Sequence, residues 1–338
     1  MFKQNKIVYG GLRTLERELM KADWKGMKYT ILLDENTFRC CLPQLISQVE
    51  PLQEAEFIEV PASEECKSLE VAAQVWQTLL ESGADRQHVL VNLGGGSVCD
   101  LGGFVAAGYK RGIRHINIPT TLLSMIDAAI GGKTAVDFGG IKNSVGFFHQ
   151  SVLTVIDHVF CDTLEPEQLL CGQMEMVKTA AVTDTTLYEQ LISSDIITKQ
   201  QIAAVARIKN RIVKEDPYDH GIRKILNFGH TFGHAIEIFS GLPHGFAVGI
   251  GMKAAMYLST KKTGLSEDVY LSYSKWVRKH ISIPKFTLKD IEQMLPLLHQ
   301  DKKASNGVIH CVLLQEIGAA VVDMEVSDNE VRDALLKV

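Results

Sequence analysis

The sequence predicts a two-domain protein: an α/β unit built on an open parallel sheet, Rossmann-like in plan, followed by an all-α unit. Three observations predict it. The length of 338 residues corresponds to about two domains at roughly 150 residues each. The first half alternates short apolar runs with helical patterns, and strands separated by helices pair in parallel. From Leu164 onward, long segments with helical periodicity dominate, so the boundary is set at 1–163 and 164–338.

The elements follow in order. Tyr29-Thr-Ile-Leu-Leu-Asp34 reads as a buried strand running into a loop. Leu69 to Ser82 reads as an amphipathic helix. His88-Val-Leu-Val-Asn-Leu93 is a second buried strand, ending directly in Gly94-Gly95-Gly96, and His115-Ile-Asn-Ile-Pro119 is a third. Helices are expected over Gln168 to Thr183, Leu187 to Ser193, Thr198 to Val213, Thr231 to Phe239, Ala247 to Thr260 and Asp268 to His280. One short β-like run, Val308 to Leu314, lies near the C-terminus.

Composition narrows the class. Hydrophobic residues at 46% and charged residues at 22% are ordinary globular usage, which excludes disorder and coiled coil. No run of 18 apolar residues occurs, so no membrane-spanning helix is expected. A net charge of −5 argues against a nucleic-acid partner. The first six residues lack a signal-peptide core, and seven scattered cysteines without a CxxC pair read as reduced thiols. A cytoplasmic protein is expected.

Three features carry chemistry. The Gly94-Gly-Gly-Ser-Val-Cys-Asp100 turn joins a strand to the Gly/Ala-rich segment Leu101 to Gly108. It reads either as a tight strand-to-helix turn or as a nucleotide pyrophosphate site at a helix N-terminus. Asp34, ending an earlier strand, is then positioned to accept ribose hydroxyls. The second feature is His230, His234 and His244 within fifteen residues, with Glu175 as an isolated charge in an apolar helical run. Imidazoles plus a carboxylate make the usual open zinc site. On pattern alone, His230 and His234, four apart on one helix face, are the expected ligands. The third is a set of cations in uncharged surroundings: Lys133, Lys142, Lys178, Lys209, Arg223 and Lys302–Lys303. Singly each reads as a solubilising charge; converging, they would grip a small polyanion. Gly-Gly-Lys133-Thr134 is no P-loop, because Asp127 stands where that spacing needs glycine.

Taken together these residues resemble the 3-dehydroquinate synthase family. The resemblance covers almost the whole chain and rests on residues 94–107, 119–134, Lys142-Asn143, Glu175-Met-Val-Lys178, 223–237 and His244-Gly245. It implies an N-terminal NAD-binding domain and a C-terminal domain holding zinc or cobalt. The implied metal ligands are Glu175, His230 and His244, which moves His234 to the substrate. The implied NAD contacts are Asp34, Glu64, Lys67, Gly94, Gly95, Gly96, Asp100, Thr120, Thr121, Lys142 and Thr163. Substrate contacts fall on Asp127, Lys133, Asn143, Lys178, Lys209, Arg223, Asn227, His234 and Lys302 or Lys303. Arg111 matches an arginine that reaches the partner's phosphate site, implying a homodimer. The implied reaction turns 3-deoxy-D-arabino-heptulosonate 7-phosphate into 3-dehydroquinate and phosphate, a step of aromatic amino acid biosynthesis (the shikimate pathway). It would proceed by transient oxidation, elimination, re-reduction and aldol closure. Two positions depart from the family pattern: Phe246, where an acid is common, and Gln173-Met174, where a smaller pair is common.

Three rivals remain. Sister sugar phosphate cyclases (2-deoxy-scyllo-inosose or 2-epi-5-epi-valiolone synthases) act on substrates without a carboxylate, and would not need both Lys209 and Arg223 buried. A metal-dependent polyol dehydrogenase would release NADH and would not need the phosphate-gripping lysines. A catalytically dead NAD-binding scaffold would have no use for the full set of ligands and cations.

Overall fold

The computed structural model describes residues 6–300 and 308–338. Lys302 and Lys303 lie outside the described residues. The chain divides into two compact units, Met1–Leu169 and Leu170–Val338.

The first unit runs β1 (Lys6–Val8), α1 (Leu12–Leu19), β2 (Tyr29–Asp34), α2 (Glu35–Cys40), α3 (Leu42–Gln48), β3 (Glu56–Val60), α4 (Leu69–Glu81), β4 (Val89–Gly94), α5 (Gly96–Gly108), β5 (Arg114–Pro119), β6 (Lys133–Phe138), β7 (Ile141–Phe148) and β8 (Leu153–Val155). Six strands form a parallel sheet in the order β1-β8-β5-β4-β2-β3. Strands β2 and β4 are buried at every position, as their unbroken apolar runs require. The strand order reverses between β2 and β4, so Asp34 and the Gly94 turn end the two strands flanking the switch point. That is where open α/β sheets bind ligands.

Two close approaches set this region. Helix α5 lies so near β4 that a Cβ on Gly102 would fall 1.9 Å from Asn92 Oδ1. The fully buried Asn92 donates in turn to Asn117 Oδ1 on β5 at 2.8 Å. One expectation is corrected here: Asp34 does not run into a loop but caps α2. Its carboxylate accepts from Thr37 N–H at 2.8 Å while Thr37 Oγ1 accepts from Asp34 N–H at 3.0 Å. Asp34-x-x-Thr37 is a capping box, a local pairing that starts a helix at once.

His115 on β5 is buried and stacks on His149 at 5.0 Å, and its Nδ1 has no hydrogen-bond partner. Burial, reinforced by His149, pushes its pKa down to about 3. The unfolded chain protonates this imidazole near pH 6.5 while the native fold does not. Stability is therefore full above that value and is lost as pH falls towards 3. Between pH 7 and pH 5 the unfolding free energy is expected to drop by about 2 kcal/mol from this group alone. Denaturant titrations should show a shallower pH slope in His115→Leu; the same slope in both proteins would contradict this.

The second unit is mostly helical: α6 (Pro166–Ala181), α7 (Thr185–Ser193), α8 (Lys199–Glu215), α9 (His230–Ser240), α10 (His244–Lys262), α11 (Glu267–His280), α12 (Leu288–Gln300) and α13 (Asp328–Leu336). It is not all-α. The β-like run forms β9 (Ile309–Glu316), which pairs antiparallel with β10 (Ala319–Val326) around a turn containing Gly318. Strand β9 packs on α10, which buries Leu313 and Leu314 completely. Among the described residues no helix is long and apolar enough to cross a membrane. All seven cysteines are unpaired.

Candidate active site

In the second unit the chemistry gathers on α6, α9 and α10. Glu175 and Lys178 lie one turn apart on α6, both 1% exposed. Glycine makes the helix contact possible: a Cβ on Gly245 would fall 2.4 Å from Cys171 Cα, so α10 begins almost against the α6 backbone. His244, the first residue of α10, is thereby brought to Glu175. Gly229, in left-handed conformation (φ 78°), caps α9 at its N-terminus and turns His230 to the same carboxylate.

Glu175 Oε1 lies 3.5 Å from His230 Nε2 and 3.6 Å from His244 Nε2, and it accepts no hydrogen bond. Its other oxygen ion-pairs with Lys178. Ligand atoms of Glu175, His230 and His244 all lie within 4.8 Å of one another. A buried carboxylate oxygen facing two imidazole nitrogens, each able to serve as a ligand atom, suits a divalent cation. Burial would raise the Glu175 pKa, but Lys178 and the two imidazoles hold it well below the usual carboxylate range. Burial, with Lys178, keeps His230 neutral. On His244, burial is outweighed by its contacts with Glu175 and Glu237, which lift the pKa to about 9. The pattern-only pairing of His230 with His234 is corrected: His234 is a near neighbour, its ring 5.3 Å from that of His230, but the converging atoms belong to His244.

The buried cations follow the same scaffold. Arg223 and Asn227 lie in the 3₁₀ segment Ile222–Asn227 that leads into α9, and Lys209 lies on α8, which packs against that segment. Arg223 and Lys209 are both buried. The preceding turn is organised by Asp216, whose carboxylate accepts the backbone N–H groups of His220, Gly221 and Arg223 at 3.0, 2.6 and 3.1 Å. The Arg223 guanidinium donates to Pro217 O at 3.0 Å. Sequence reasoning gave no role to Asp216, although an Asp at a helix end before Pro is a turn signal.

In the first unit, Lys67 is the hub. Its buried ammonium donates to Asp100 Oδ2 at 2.9 Å and Asn143 Oδ1 at 2.5 Å, with Glu64 3.8 Å away. Ser97 donates to Glu64 at 2.8 Å. Burial pushes the Asp100 carboxyl up to about 6 against the pull of Lys67. Asn143 sits at φ 52° on β7, held by its N–H to Asp137 Oδ1 at 2.7 Å. Thr120 N–H donates to Gly94 O at 2.9 Å, and the Thr121 methyl lies 3.2 Å from where a Gly95 Cβ would be. Glu64, Lys67, Asp100, Asn143, the glycines and both threonines thus surround the N-terminus of α5. Asp127 lies in a π-helical turn (Ser124–Ala128), Lys133 opens β6 and Lys142 sits on β7. Thr163 ends a 3₁₀ segment with its hydroxyl on Phe160 O at 3.2 Å. Arg111 is exposed in a turn where it and Lys110 both take positive φ.

A glycine-rich helix start at the switch point of a parallel sheet and a carboxylate–imidazole cluster on a mostly helical unit mark an α/β protein with a metal-competent site. The chain belongs to the 3-dehydroquinate synthase family: its N-terminal family model matches residues 57–171 and its C-terminal one residues 172–304. A 3-dehydroquinate synthase of Parabacteroides distasonis is 37% identical, covering 99% of this chain and 98% of that protein. One from Dehalococcoides mccartyi is 39% identical over 79% of this chain and 77% of the other. In structure, the chain resembles a 2-deoxy-scyllo-inosose synthase complexed with carbaglucose-6-phosphate, NAD+ and Co2+ (TM-score 0.84, 22% identity, 98% and 96% of the chains). It also resembles a 2-epi-5-epi-valiolone synthase from Streptomyces hygroscopicus with NAD+ and Zn2+ bound (TM-score 0.81, 27% identity, 99% and 96%). An iron-containing alcohol dehydrogenase from Thermococcus thioreducens shares the fold at TM-score 0.68 and 16% identity, covering 100% and 98% of the chains.

Proposed function

We propose that this chain converts 3-deoxy-D-arabino-heptulosonate 7-phosphate to 3-dehydroquinate and phosphate, with NAD and a divalent metal, zinc or cobalt, as resident cofactors. The observation that carries the reading is the Glu175–His230–His244 cluster in a chain of this family. When bound, the metal polarises the substrate's hydroxyl and carbonyl oxygens, and NAD takes up and returns a hydride. Glu175 supplies the ligand charge and balances Lys178, so the site keeps its charge without a proton. Lys209 and Arg223 pair with the substrate carboxylate, with Asn227 beside them. His234, Lys133, Asn143, Asp127, Lys178 and one of Lys302 or Lys303 are the further substrate contacts the family pattern implies, with lysines and His234 on the phosphate. Asp34, Glu64, Lys67, Gly94, Gly95, Gly96, Asp100, Thr120, Thr121, Lys142 and Thr163 hold NAD. Arg111, exposed on its turn, reaches the phosphate site of a second copy, which makes a homodimer the working form.

The sister-cyclase reading is disfavoured by what the resemblance implies for the two buried cations Lys209 and Arg223, since glucose 6-phosphate and sedoheptulose 7-phosphate carry no carboxylate for them to read. The test is a substrate panel. Phosphate release is expected with the heptulosonate and not with glucose 6-phosphate or sedoheptulose 7-phosphate. Release from either neutral sugar phosphate, and not from the heptulosonate, would move the chain to the sister cyclases.

A further inference from the structure

We propose that Glu237 is a positioning residue for the metal ligand His244, setting its tautomer and its aim. The inference rests on the metal reading above. Glu237 Oε2 lies 2.8 Å from His244 Nδ1, seven residues on and across the α9–α10 turn. That turn is sharp: Gly241 caps α9 in left-handed conformation (φ 68°), and Pro243 precedes His244. Without a second hold, the first side chain of a helix leaving such a turn has several rotamers open to it. With Nδ1–H donated to Glu237, the lone pair of His244 is left on Nε2, the atom facing Glu175 Oε1 at 3.6 Å.

The two imidazoles are held unequally. His230 has its Nδ1 3.3 Å from Phe228 O, a neutral acceptor, whereas His244 has a carboxylate. A carboxylate behind an imidazole raises its basicity as a ligand and fixes its ring. His244 is also the more exposed of the two, at 34% against 12% of its side chain. It therefore depends more on a hydrogen bond than on packing for its position. The family's common acid after His244-Gly245 is Phe246 here, yet His244 still has a carboxylate, supplied by the preceding helix.

The test measures metal affinity by competition with a chromogenic zinc chelator on the full chain, without substrate. Glu237→Ala is expected to weaken zinc binding about 10- to 100-fold. Glu237→Gln, which keeps an acceptor but not the charge, should weaken it less, and zinc should dissociate faster from both variants. Melting temperatures of the metal-free proteins are expected to stay close to wild type. Should Glu237→Ala fail to fold, Glu237→Gln and its zinc off-rate decide alone. Wild-type affinity and off-rate in the Glu237 variants, while His230→Ala loses zinc, would overturn the role of Glu237 and leave the metal site standing. Zinc bound no more tightly by the wild-type chain than by His230→Ala would overturn the site itself, and this role with it.

Discussion

Glu175→Gln is expected to abolish tight metal binding and to lower kcat/KM by about a thousandfold or more. The amide keeps the volume of the side chain but removes the buried negative charge that faces the two imidazoles and the Lys178 ammonium. A bound cation contributes several kcal/mol at the charge-developing centre, and every ~1.4 kcal/mol is tenfold in rate. Stability should respond separately. Glu175→Leu leaves Lys178 buried without its ion-pair partner on α6, and breaking a buried pair costs about 3–5 kcal/mol. The combination Glu175→Leu/Lys178→Met should recover most of that loss without recovering metal or turnover. Tight zinc binding by Glu175→Gln, or an unaltered melting temperature in Glu175→Leu, would contradict the arrangement.

The second large effect is one of discrimination. Lys209→Met should lower kcat/KM on the heptulosonate about a hundredfold or more, because truncating one partner of a buried charge pair costs about 2–5 kcal/mol. The loss should fall on the carboxylate. Any residual turnover of glucose 6-phosphate or sedoheptulose 7-phosphate should change far less, since neither presents a carboxylate to Lys209. Lys209 is buried on α8 against the segment that begins with Arg223's turn, so Met fits its stem. Equal losses on all substrates would remove the carboxylate role and leave Lys209 a general structural cation.

How far the sequence announced this molecule varies by element. Strands β2 and β4 were plain because a strand buried on both faces must be apolar throughout. Edge strand β3, Glu56-Phe-Ile-Glu-Val60, carries charge and is largely exposed, so it gave no such run. Strands β1 and β8 are three residues each, below the length at which periodicity speaks. The β6–β7 hairpin did leave a signal: Gly139 and Gly140, both at positive φ, form a two-residue turn of the kind that joins antiparallel strands. In the site, His230, His234, His244 and Glu175 stood out by residue type and spacing. The convergence of His244 did not, because it depends on Gly245 passing the α6 backbone, a tertiary contact with no local pattern. Glu237 and Asp216 were hidden for the same reason: each acts on a residue seven positions away through a turn whose geometry the sequence only hints at.

The most direct measurement follows phosphate release and NADH absorbance together, from the heptulosonate 7-phosphate, with and without a chelator. Phosphate far in excess of enzyme and NAD, no net NADH, loss of activity on chelation and its return with zinc or cobalt are expected. Accumulating NADH without phosphate, or phosphate release indifferent to the chelator, would contradict it.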